Sequence, residues 1–466
     1  NQAVVQAQLL ARGSLPATFR RGRGRSQVRR PRRRRLRAKA ADAPPRADGQ
    51  SRRLAGSRSD GRAANATAQR RRGRDRTGRL VEAASVRRAA RDVTLPRRLK
   101  RSPCARQAAM SEEIDKHVTR KYEIAQKLGK GAYGIVWKAT DKKTKETVAL
   151  KKIFDAFQNA TDAQRTFREI VFLQQMDEHE NIVKLQNVLR ADNDRDIYLI
   201  FEYMETDLHA VIRANILEEI HKQYIMYQSF KALMYMHSAE LVHRDMKPSN
   251  LLLNSECLMK VADFGLARSL QKQTQNVLTD YVATRWYRAP EILLGSTRYG
   301  KAVDMWSLGC IFGEMLGGKP VFPGTSTLNQ LEKICEVVGS PSDQEIEAMD
   351  SPFAKTMLDS LQQPTDGIGK GWKALYPGAS DIALDLLTKL MQFDPNKRLL
   401  AADGLRHEYC AQFHDAASEE CAKASVNIDI DDNDKKSTSI YRDKLYATML
   451  TDKKGGLKKK EKEEKR

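Results

Sequence analysis

The chain has 466 residues, of which 41% are hydrophobic, so it can form one large domain with extensions. Its formal net charge of +23 is unevenly spread, because residues 1–109 hold 32 Lys and Arg against 6 Asp and Glu, whereas residues 110–466 hold 50 against 53. The second part is therefore not a basic protein. No run of 18 apolar residues predicts a membrane helix, and six cysteines without short paired spacing favour a reducing compartment over secretion.

We expect residues 1–109 to be disordered, because their apolar content is low and their net charge is high. All 14 methionines lie at or beyond Met110, which opens the run MSEEIDKHVTRKYEIAQKLGKG, so the leading hypothesis is that translation starts there. Three alternatives give this segment a role. The run RRPRRRRLR at 29–37 could be a nuclear-import or nucleic-acid patch, or the segment could be an organellar transit peptide or a non-specific polyanion tether.

The pattern of residues 122–204 predicts a small antiparallel sheet with a single helix near 162–176. The expected strands are the β-rich runs YEIAQKL, YGIVWKA, TVALKKI, IVKLQNVL and IYLIFEYM. From Asp207 onward apolar residues recur at three- and four-residue steps, as in HKQYIMYQSFKALMYMHSA at 221–239, which predicts helices. The fold class is therefore α+β, with a small β lobe on a larger, mainly α-helical lobe and a cleft between them.

Five motifs follow one another along the chain: GKGAYGIV at 129–136, VALKK at 148–152, HRDMKPSN at 243–250, VADFGLAR at 261–268 and LTDYVATRWYRAPE at 278–291. A glycine-rich loop alone would be a weak signal, since similar loops open dinucleotide-binding units. All five in this order and spacing are typical of one protein kinase catalytic domain.

The resemblance extends past these motifs, for example into YMETDLHAVIRANILEEIHKQYIMYQ and a late SIYRDKLYATM. Residues 112–450 resemble the mitogen-activated protein kinases, most of all the atypical extracellular-signal-regulated kinase seven/eight type. The resemblance implies a bilobal kinase domain over 122–413, with an N-lobe at 122–205 and a C-lobe at 206–413. It also implies a C-terminal extension at 414–450 that packs on the kinase, while the charged end at 451–466 is expected to be a disordered tail.

Phosphoryl transfer needs positioning and charge neutralisation more than covalent chemistry. The resemblance implies that Lys151 reaches the phosphates of ATP and pairs with Glu169 on the helix. Neighbouring strand residues face opposite ways, so Lys152 is expected at the surface. The full set of ATP contacts that the family implies is Gly129, Gly131, Gly134, Val136, Ala149, Lys151, Met204 and Asp207.

The resemblance gives the catalytic loop its roles. Asp245 would accept the proton of the substrate hydroxyl, and Lys247, at a position typical of serine/threonine kinases, would steady the γ-phosphate. Asn250 and Asp263 would bind Mg²⁺ through oxygen atoms. His243 is expected to be a packing residue and not a base.

Thr279-Asp280-Tyr281 resembles the dual-phosphorylation lip of the mitogen-activated protein kinases. Each phosphate would add a charge of about −1.5 to −2 that requires cationic partners. By resemblance these are five arginines, with Arg168, Arg244 and Arg268 for phospho-Thr279 and Arg285 and Arg288 for phospho-Tyr281. Glu291 with Arg398, and Asp304 beneath the catalytic loop, are expected to be structural supports.

The sequence therefore predicts an ATP- and Mg²⁺-dependent serine/threonine kinase, proline-directed and activated at Thr279 and Tyr281, with autophosphorylation as one route. Its expected partners are proteins with Ser/Thr-Pro sites, together with an upstream dual-specificity kinase and phosphatases; nucleic acid is a partner only if residues 1–109 are translated. A cytoplasmic or nuclear location is expected. The alternatives are a cyclin-dependent-kinase relative, disfavoured by Tyr281 and the 325–380 insertion, and a catalytically dead scaffold, disfavoured by the intact motifs.

Overall fold

Five antiparallel strands form the smaller lobe of the chain, as the β-rich runs predict. The structure is a computed structural model that describes residues 112–131, 134–271, 284–296, 298–361, 367–430 and 435–447. The predictions for residues 1–109, Thr279, Tyr281 and the 451–466 tail lie outside these residues. The first lobe contains α1 (Lys116–Lys121), β1 (Tyr122–Lys130), β2 (Gly134–Asp141), β3 (Thr147–Ile153), α2 (Ala160–Gln175), β4 (Leu185–Arg190) and β5 (Ile197–Glu202).

The sheet order is β1-β2-β3-β5-β4, and every pairing is antiparallel. The single long helix α2 begins at Ala160, where the side chain of Asn159 accepts hydrogen bonds from the backbone of Thr161 and Asp162. Such a cap satisfies donors that the first turn of a helix leaves open. The predicted architecture of this lobe is confirmed.

Helices dominate the larger lobe, which carries only short strands. Its elements are β6 (Thr206–Asp207), α3 (Leu208–Arg213), α4 (Glu219–Ser238), β7 (Leu241–Val242), β8 (Leu251–Leu253), β9 (Met259–Val261), β10 (Arg268–Ser269), α5 (Pro290–Leu293), α6 (Ala302–Gly317), α7 (Thr327–Val338), α8 (Asp343–Ala348), α9 (Ala354–Asp359), α10 (Trp372–Leu375), α11 (Asp381–Leu390) and α12 (Ala401–Arg406). Within the described residues no helix is long and apolar enough to span a membrane.

The two faces of the first sheet belong to different cores. The inner face joins one large cluster with the helices of the second lobe, whereas the outer face forms a smaller cluster that α1 closes with the fully buried Val118. Successive side chains of strand β3 point to opposite faces of the sheet, so Val148 and Leu150 belong to the outer cluster and Ile153 belongs to the inner one.

Lys152 lies on this covered outer face, and the prediction that it is a surface residue is wrong. It is 2% exposed, and its ammonium group bonds to the Glu113 carbonyl at 2.8 Å and to the Asp196 carboxylate at 3.2 Å. Strand alternation placed Lys152 correctly on the opposite face from Lys151. The segment before β1 then folds over that face and buries it.

Residues 414–430 and 435–447 lie against the two lobes. Val426, Ile428 and Ile430 are buried, and the helical residues 438–447 bury Tyr441 and Leu445. The Tyr441 ring packs at a tilt against the ring of Phe167 in α2, with ring centres 5.5 Å apart. The extension therefore contacts the same helix that carries Glu169.

Candidate active site

The pair formed by Lys151 and Glu169 joins the sheet to helix α2. The Lys151 ammonium lies 2.5 Å from the Glu169 carboxylate, whose side chain is 5% exposed. Burial by itself would lower the pKa of Lys151, but the Glu169 and Asp263 carboxylates outweigh it and raise the pKa above its ordinary value. Lys151 is therefore a cation that Glu169 holds in place.

Asp263 approaches this pair from the other lobe. Its backbone is left-handed, with φ of 65°, and a 3₁₀ turn, Phe264–Leu266, follows it. Phe264 is fully buried with its ring edge-on to His243 at 5.0 Å, which anchors the turn. Burial would raise the pKa of Asp263, but Lys151 and Arg165 lower it to about 2, so the carboxylate is ionised at every physiological pH.

Asp304 on α6 supports the catalytic loop from below, as expected. Its fully buried carboxylate accepts hydrogen bonds from the backbone of His243 at 2.9 Å and of Arg244 at 2.8 Å, and it lies 3.0 Å from the His237 ring. His243 is itself fully buried, with Nε2 3.1 Å from the Ala262 carbonyl. These contacts agree with a packing role for His243.

Asp245, Lys247 and Asn250 form a hydrogen-bonded group at the end of this loop. The Lys247 ammonium lies 2.6 Å from the Asp245 carboxylate, and the Asn250 amide donates to the Asp245 carbonyl at 2.9 Å. That bond fixes which end of the Asn250 amide is the donor, so its carbonyl oxygen is left as an acceptor. Asp245 is only 4% exposed, so these hydrogen bonds, and not contacts with solvent, hold it in place.

A cavity of about 360 Å³ brings together eight of the residues predicted for catalysis, ATP binding or metal binding. Those lining it are Gly131, Gly134, Val136, Lys151, Glu169, Lys247, Asn250 and Asp263. Gly129, Ala149, Met204, Asp207 and Asp245 do not line it. Asp207 instead caps α3 by accepting a hydrogen bond from Ala210 N at 2.9 Å.

The three glycines of the glycine-rich loop have different structural roles. A Cβ at Gly129 or Gly131 would meet open space, so their missing side chains leave room above the cleft. A Cβ at Gly134 would overlap the Lys152 carbonyl of β3. Gly134 is therefore required by strand packing, whether or not a nucleotide is bound.

Arg165 is a site residue that the motifs do not reveal. Its guanidinium lies 3.4 Å from the Asp263 carboxylate and lines the cavity. The signal available in the sequence is helical spacing, because Arg165 precedes Glu169 by four residues and must share its face of α2. A Cβ on Gly265 would lie 2.6 Å from Arg165 Nε, so the glycine after Phe264 makes room for this arginine.

Asn250 and Asp263 suit Mg²⁺ by their chemistry. One offers an amide oxygen and the other an ionised carboxylate, and oxygen ligands are those that Mg²⁺ prefers. Both line the same cavity as Lys151 and Lys247. These two residues would hold the ion at the phosphate end of the cleft.

Three of the predicted phosphate-binding arginines lie in different elements: Arg168 in α2, Arg244 in the catalytic loop and Arg268 in β10. Arg168 and Arg268 are 7% and 8% exposed, and the β7–β10 pairing places Arg268 opposite Val242, two residues before Arg244. Arg244 has a left-handed backbone, with φ of 68°, and its guanidinium lies 5.4 Å from the centre of the Tyr299 ring. Of the other two predicted arginines, Arg285 is the first residue of the 3₁₀ turn Arg285–Tyr287, and Arg288 directly follows that turn.

That turn, Arg285–Tyr287, is held by the residues around it. The Arg285 guanidinium donates to the Thr325 carbonyl at 3.3 Å, and the Trp286 indole donates to the Gly324 carbonyl at 3.1 Å. Behind the turn, Glu291 and Arg398 form the expected buried pair, with oxygen to nitrogen distances of 2.6 and 2.7 Å.

The comparisons with known proteins agree with this geometry. The protein kinase domain family matches residues 122–410. Extracellular signal-regulated kinase 2 of Dictyostelium discoideum is 64% identical over 354 residues, which are 75% of this chain and 95% of that protein. Mitogen-activated protein kinase 15 of Xenopus laevis is 53% identical over 344 residues, which are 72% of this chain and 58% of that protein. Extracellular signal-regulated kinase 7 of Drosophila melanogaster is 44% identical over 346 residues, which are 72% of this chain and 38% of that protein. The chain thus spans only part of the length of the last two.

Proposed function

This chain belongs to the mitogen-activated protein kinases, as a serine/threonine kinase of the extracellular-signal-regulated kinase seven/eight type, and from that premise we propose that it is activated by phosphorylation of Thr279 and Tyr281. We further propose that it installs both phosphates itself and prefers proline after the phosphoacceptor. A protein kinase domain implies ATP as the phosphoryl donor.

Each side chain of the cleft would have a separate role in phosphoryl transfer. Lys151, held by Glu169, would bind the α- and β-phosphates, and Lys247 would neutralise charge on the γ-phosphate. Asp245 would orient the substrate hydroxyl and accept its proton. Asn250 and Asp263 would hold Mg²⁺, which would supply further charge neutralisation for the triphosphate.

The observation that carries this proposal is the Lys151–Glu169 contact of 2.5 Å beside an ionised Asp263. Kinase activity requires the lysine pair and the metal aspartate to be in place together. The Lys151–Glu169 pair and Asp263 line one cavity, which supports the proposal that the cleft is catalytically competent. On this proposal, regulation depends mainly on phosphorylation of Thr279 and Tyr281.

Hydrogen bonds between the two phosphates and these arginines would supply enough free energy for such a switch. Changing the ordered fraction of a lip from about 1% to 99% takes roughly 5.5 kcal/mol of differential binding. Two or three hydrogen bonds between phosphate and arginine, at about 1.5 to 3 kcal/mol each, would provide this amount. Arg168 and Arg268 favour the larger values, because both are more than nine-tenths buried.

The decisive experiment is phosphopeptide mapping of the full chain produced in bacteria, beside Asp263→Ala. We expect phosphate on Thr279 and Tyr281 in the intact enzyme only, and at least a hundredfold loss of activity in Thr279→Val with Tyr281→Phe. An unmodified lip in an active enzyme would refute the switch. A lip modified only after an upstream kinase is added would refute self-activation alone.

A further inference from the structure

We propose that Ser351 is a phosphorylation site, modified by a second copy of this chain, and that its phosphate releases the loop 350–353 from the end of α5. The inference rests on the proposed function, because it requires a kinase that prefers proline after the phosphoacceptor. Ser-Pro occurs three times in the chain, at Ser102, Ser340 and Ser351, and Thr-Pro does not occur. Ser102 lies outside the described residues, so the structure distinguishes between the other two.

Ser340 is enclosed by a neighbouring segment of the chain. Its hydroxyl oxygen is buried and has no hydrogen-bond partner among the described residues, and its backbone N–H donates to the Gly367 carbonyl at 3.0 Å. The preceding Gly339 packs so closely on the same carbonyl that a Cβ there would lie 3.1 Å from it. This Ser-Pro step could enter an active site only after the two segments had separated.

Ser351 is more accessible, because it lies on the loop between α8 and α9. It is partly exposed, and Pro352 and Phe353 after it are exposed. Helix α8 has no fully buried side chain, and α9 buries only Ala354 and Leu358. Segments with few buried apolar contacts open locally at low cost, and the proline favours extended backbone at the serine before it. The loop can therefore present this serine to a kinase cleft.

The loop is held on the end of α5 by the hydroxyl group that would be modified. Ser351 Oγ donates to the Leu294 carbonyl at 2.6 Å and accepts a hydrogen bond from Phe353 N at 3.2 Å. Leu294 directly follows α5, so its carbonyl is one of those that the end of a helix leaves open. The Phe353 ring packs over Gly295, where a Cβ would lie 3.4 Å from it. Ser351 thus supplies the donor that joins the loop to α5.

The modification is an ordinary phosphoryl transfer. The bond between the γ-phosphorus of ATP and the oxygen of ADP breaks, and a bond forms between this phosphorus and Ser351 Oγ. ADP is the leaving group, and the hydroxyl proton passes to Asp245 of the copy that acts as the enzyme.

A phosphate on Ser351 would turn the attachment into repulsion. The dianionic group has no hydrogen to donate to Leu294, and its charge of about −1.5 to −2 would face that carbonyl oxygen and the neighbouring Asp350 carboxylate. Arg298, whose guanidinium lies 3.7 Å from Asp350 and is largely exposed, offers a cation for the phosphate outside the contact with α5. We therefore expect the modified loop to leave α5.

The test uses the full chain with Asp263→Ala, which cannot phosphorylate itself, as the substrate of the wild-type enzyme in its phosphorylated form. The substrate chain carries a heavy nitrogen isotope, so that its peptides differ in mass from those of the enzyme. Phosphopeptide mapping should find phosphate on Ser351 and none on Ser340. Pro352→Ala in the substrate chain should slow phosphorylation of Ser351 at least tenfold.

The melting temperature of the modified chain tests the release of the loop. Phosphorylation should lower Tm by about 2 °C more than the same treatment lowers it in the matched control, Ser351→Ala in the Asp263→Ala chain. Because the control chain can still acquire every other phosphate, the difference belongs to Ser351. An equal Tm change in the two chains would overturn the release.

A free Ser-Pro peptide in the same reaction separates failure of this inference from failure of the proposed function. If the peptide is phosphorylated and Ser351 is not, the inference is overturned and the proposed function stands. If neither is phosphorylated, both are overturned. Equal phosphorylation of Ser340 and Ser351 would mean that the enzyme acts on unfolded chain, and this result, like an unchanged rate in Pro352→Ala, would also overturn the inference.

Discussion

Breaking the buried pair of Glu291 and Arg398 should destabilise the kinase by unequal amounts, depending on which partner is removed. The two side chains are 1% and 0% exposed, so solvent cannot screen either charge. Removing one member of such a pair costs about 3 to 5 kcal/mol, because the other is left buried without its counter-ion.

The remaining hydrogen bonds decide where in this range each variant falls. The guanidinium of Arg398 also donates to the Gln392 carbonyl at 2.7 Å, the Phe393 carbonyl at 3.1 Å and the Ala302 carbonyl at 3.2 Å. After Glu291→Ala it keeps these three acceptors, and we expect a loss of about 3 kcal/mol. After Arg398→Ala the Glu291 carboxylate keeps no donor among the described side chains, and we expect about 5 kcal/mol.

Urea unfolding of the full chain, followed by tryptophan fluorescence, measures both losses. The matched double variant, Glu291→Leu with Arg398→Met, should be more stable than either alanine variant, because it removes both charges together. Losses below about 1 kcal/mol, the value of an exposed pair, would refute the reasoning. So would a larger loss for Glu291→Ala than for Arg398→Ala.

Three further predictions concern the first lobe and its surroundings. Lys151→Met should reduce phosphoryl transfer by roughly a hundredfold or more, because it removes the cation that Glu169 positions; activity within tenfold of wild type in a peptide assay would contradict this. Lys152→Met should lower the free energy of unfolding by about 3 to 5 kcal/mol, since Asp196 would stay buried without its cation, whereas a surface lysine would change it by less than about 0.5 kcal/mol. Burial and the nearby Lys231 lower the pKa of His179 to about 4, so only the unfolded chain binds this proton between pH 6.5 and 4. The free energy of unfolding should therefore fall by about 2 kcal/mol as the pH drops from 7 to 5. In urea titrations at the two pH values, His179→Asn should remove this part of the pH dependence.

The local motifs carried most of the information about the cleft. Lys151 and Glu169 meet because a strand and the following helix lie against each other, and their spacing is visible in the chain. Asp245 and Asn250 lie within one short loop, so their mutual contact depends on few residues. Local sequence therefore predicted both groups, and the structure places them in or beside one cleft.

Contacts between distant segments of the chain determined the features of the site that the sequence did not predict. Strand alternation separated Lys152 from Lys151, but only the folding of residues 112–121 over the sheet buried it. Arg165 belongs to no motif, since its place in the site depends on Asp263, which is 98 residues away along the chain and which packing brings close. Sequence periodicity gives the face on which a side chain lies, whereas the tertiary structure determines which element covers that face. The motifs therefore revealed the catalytic residues, and only the structure revealed the residues that hold them in place.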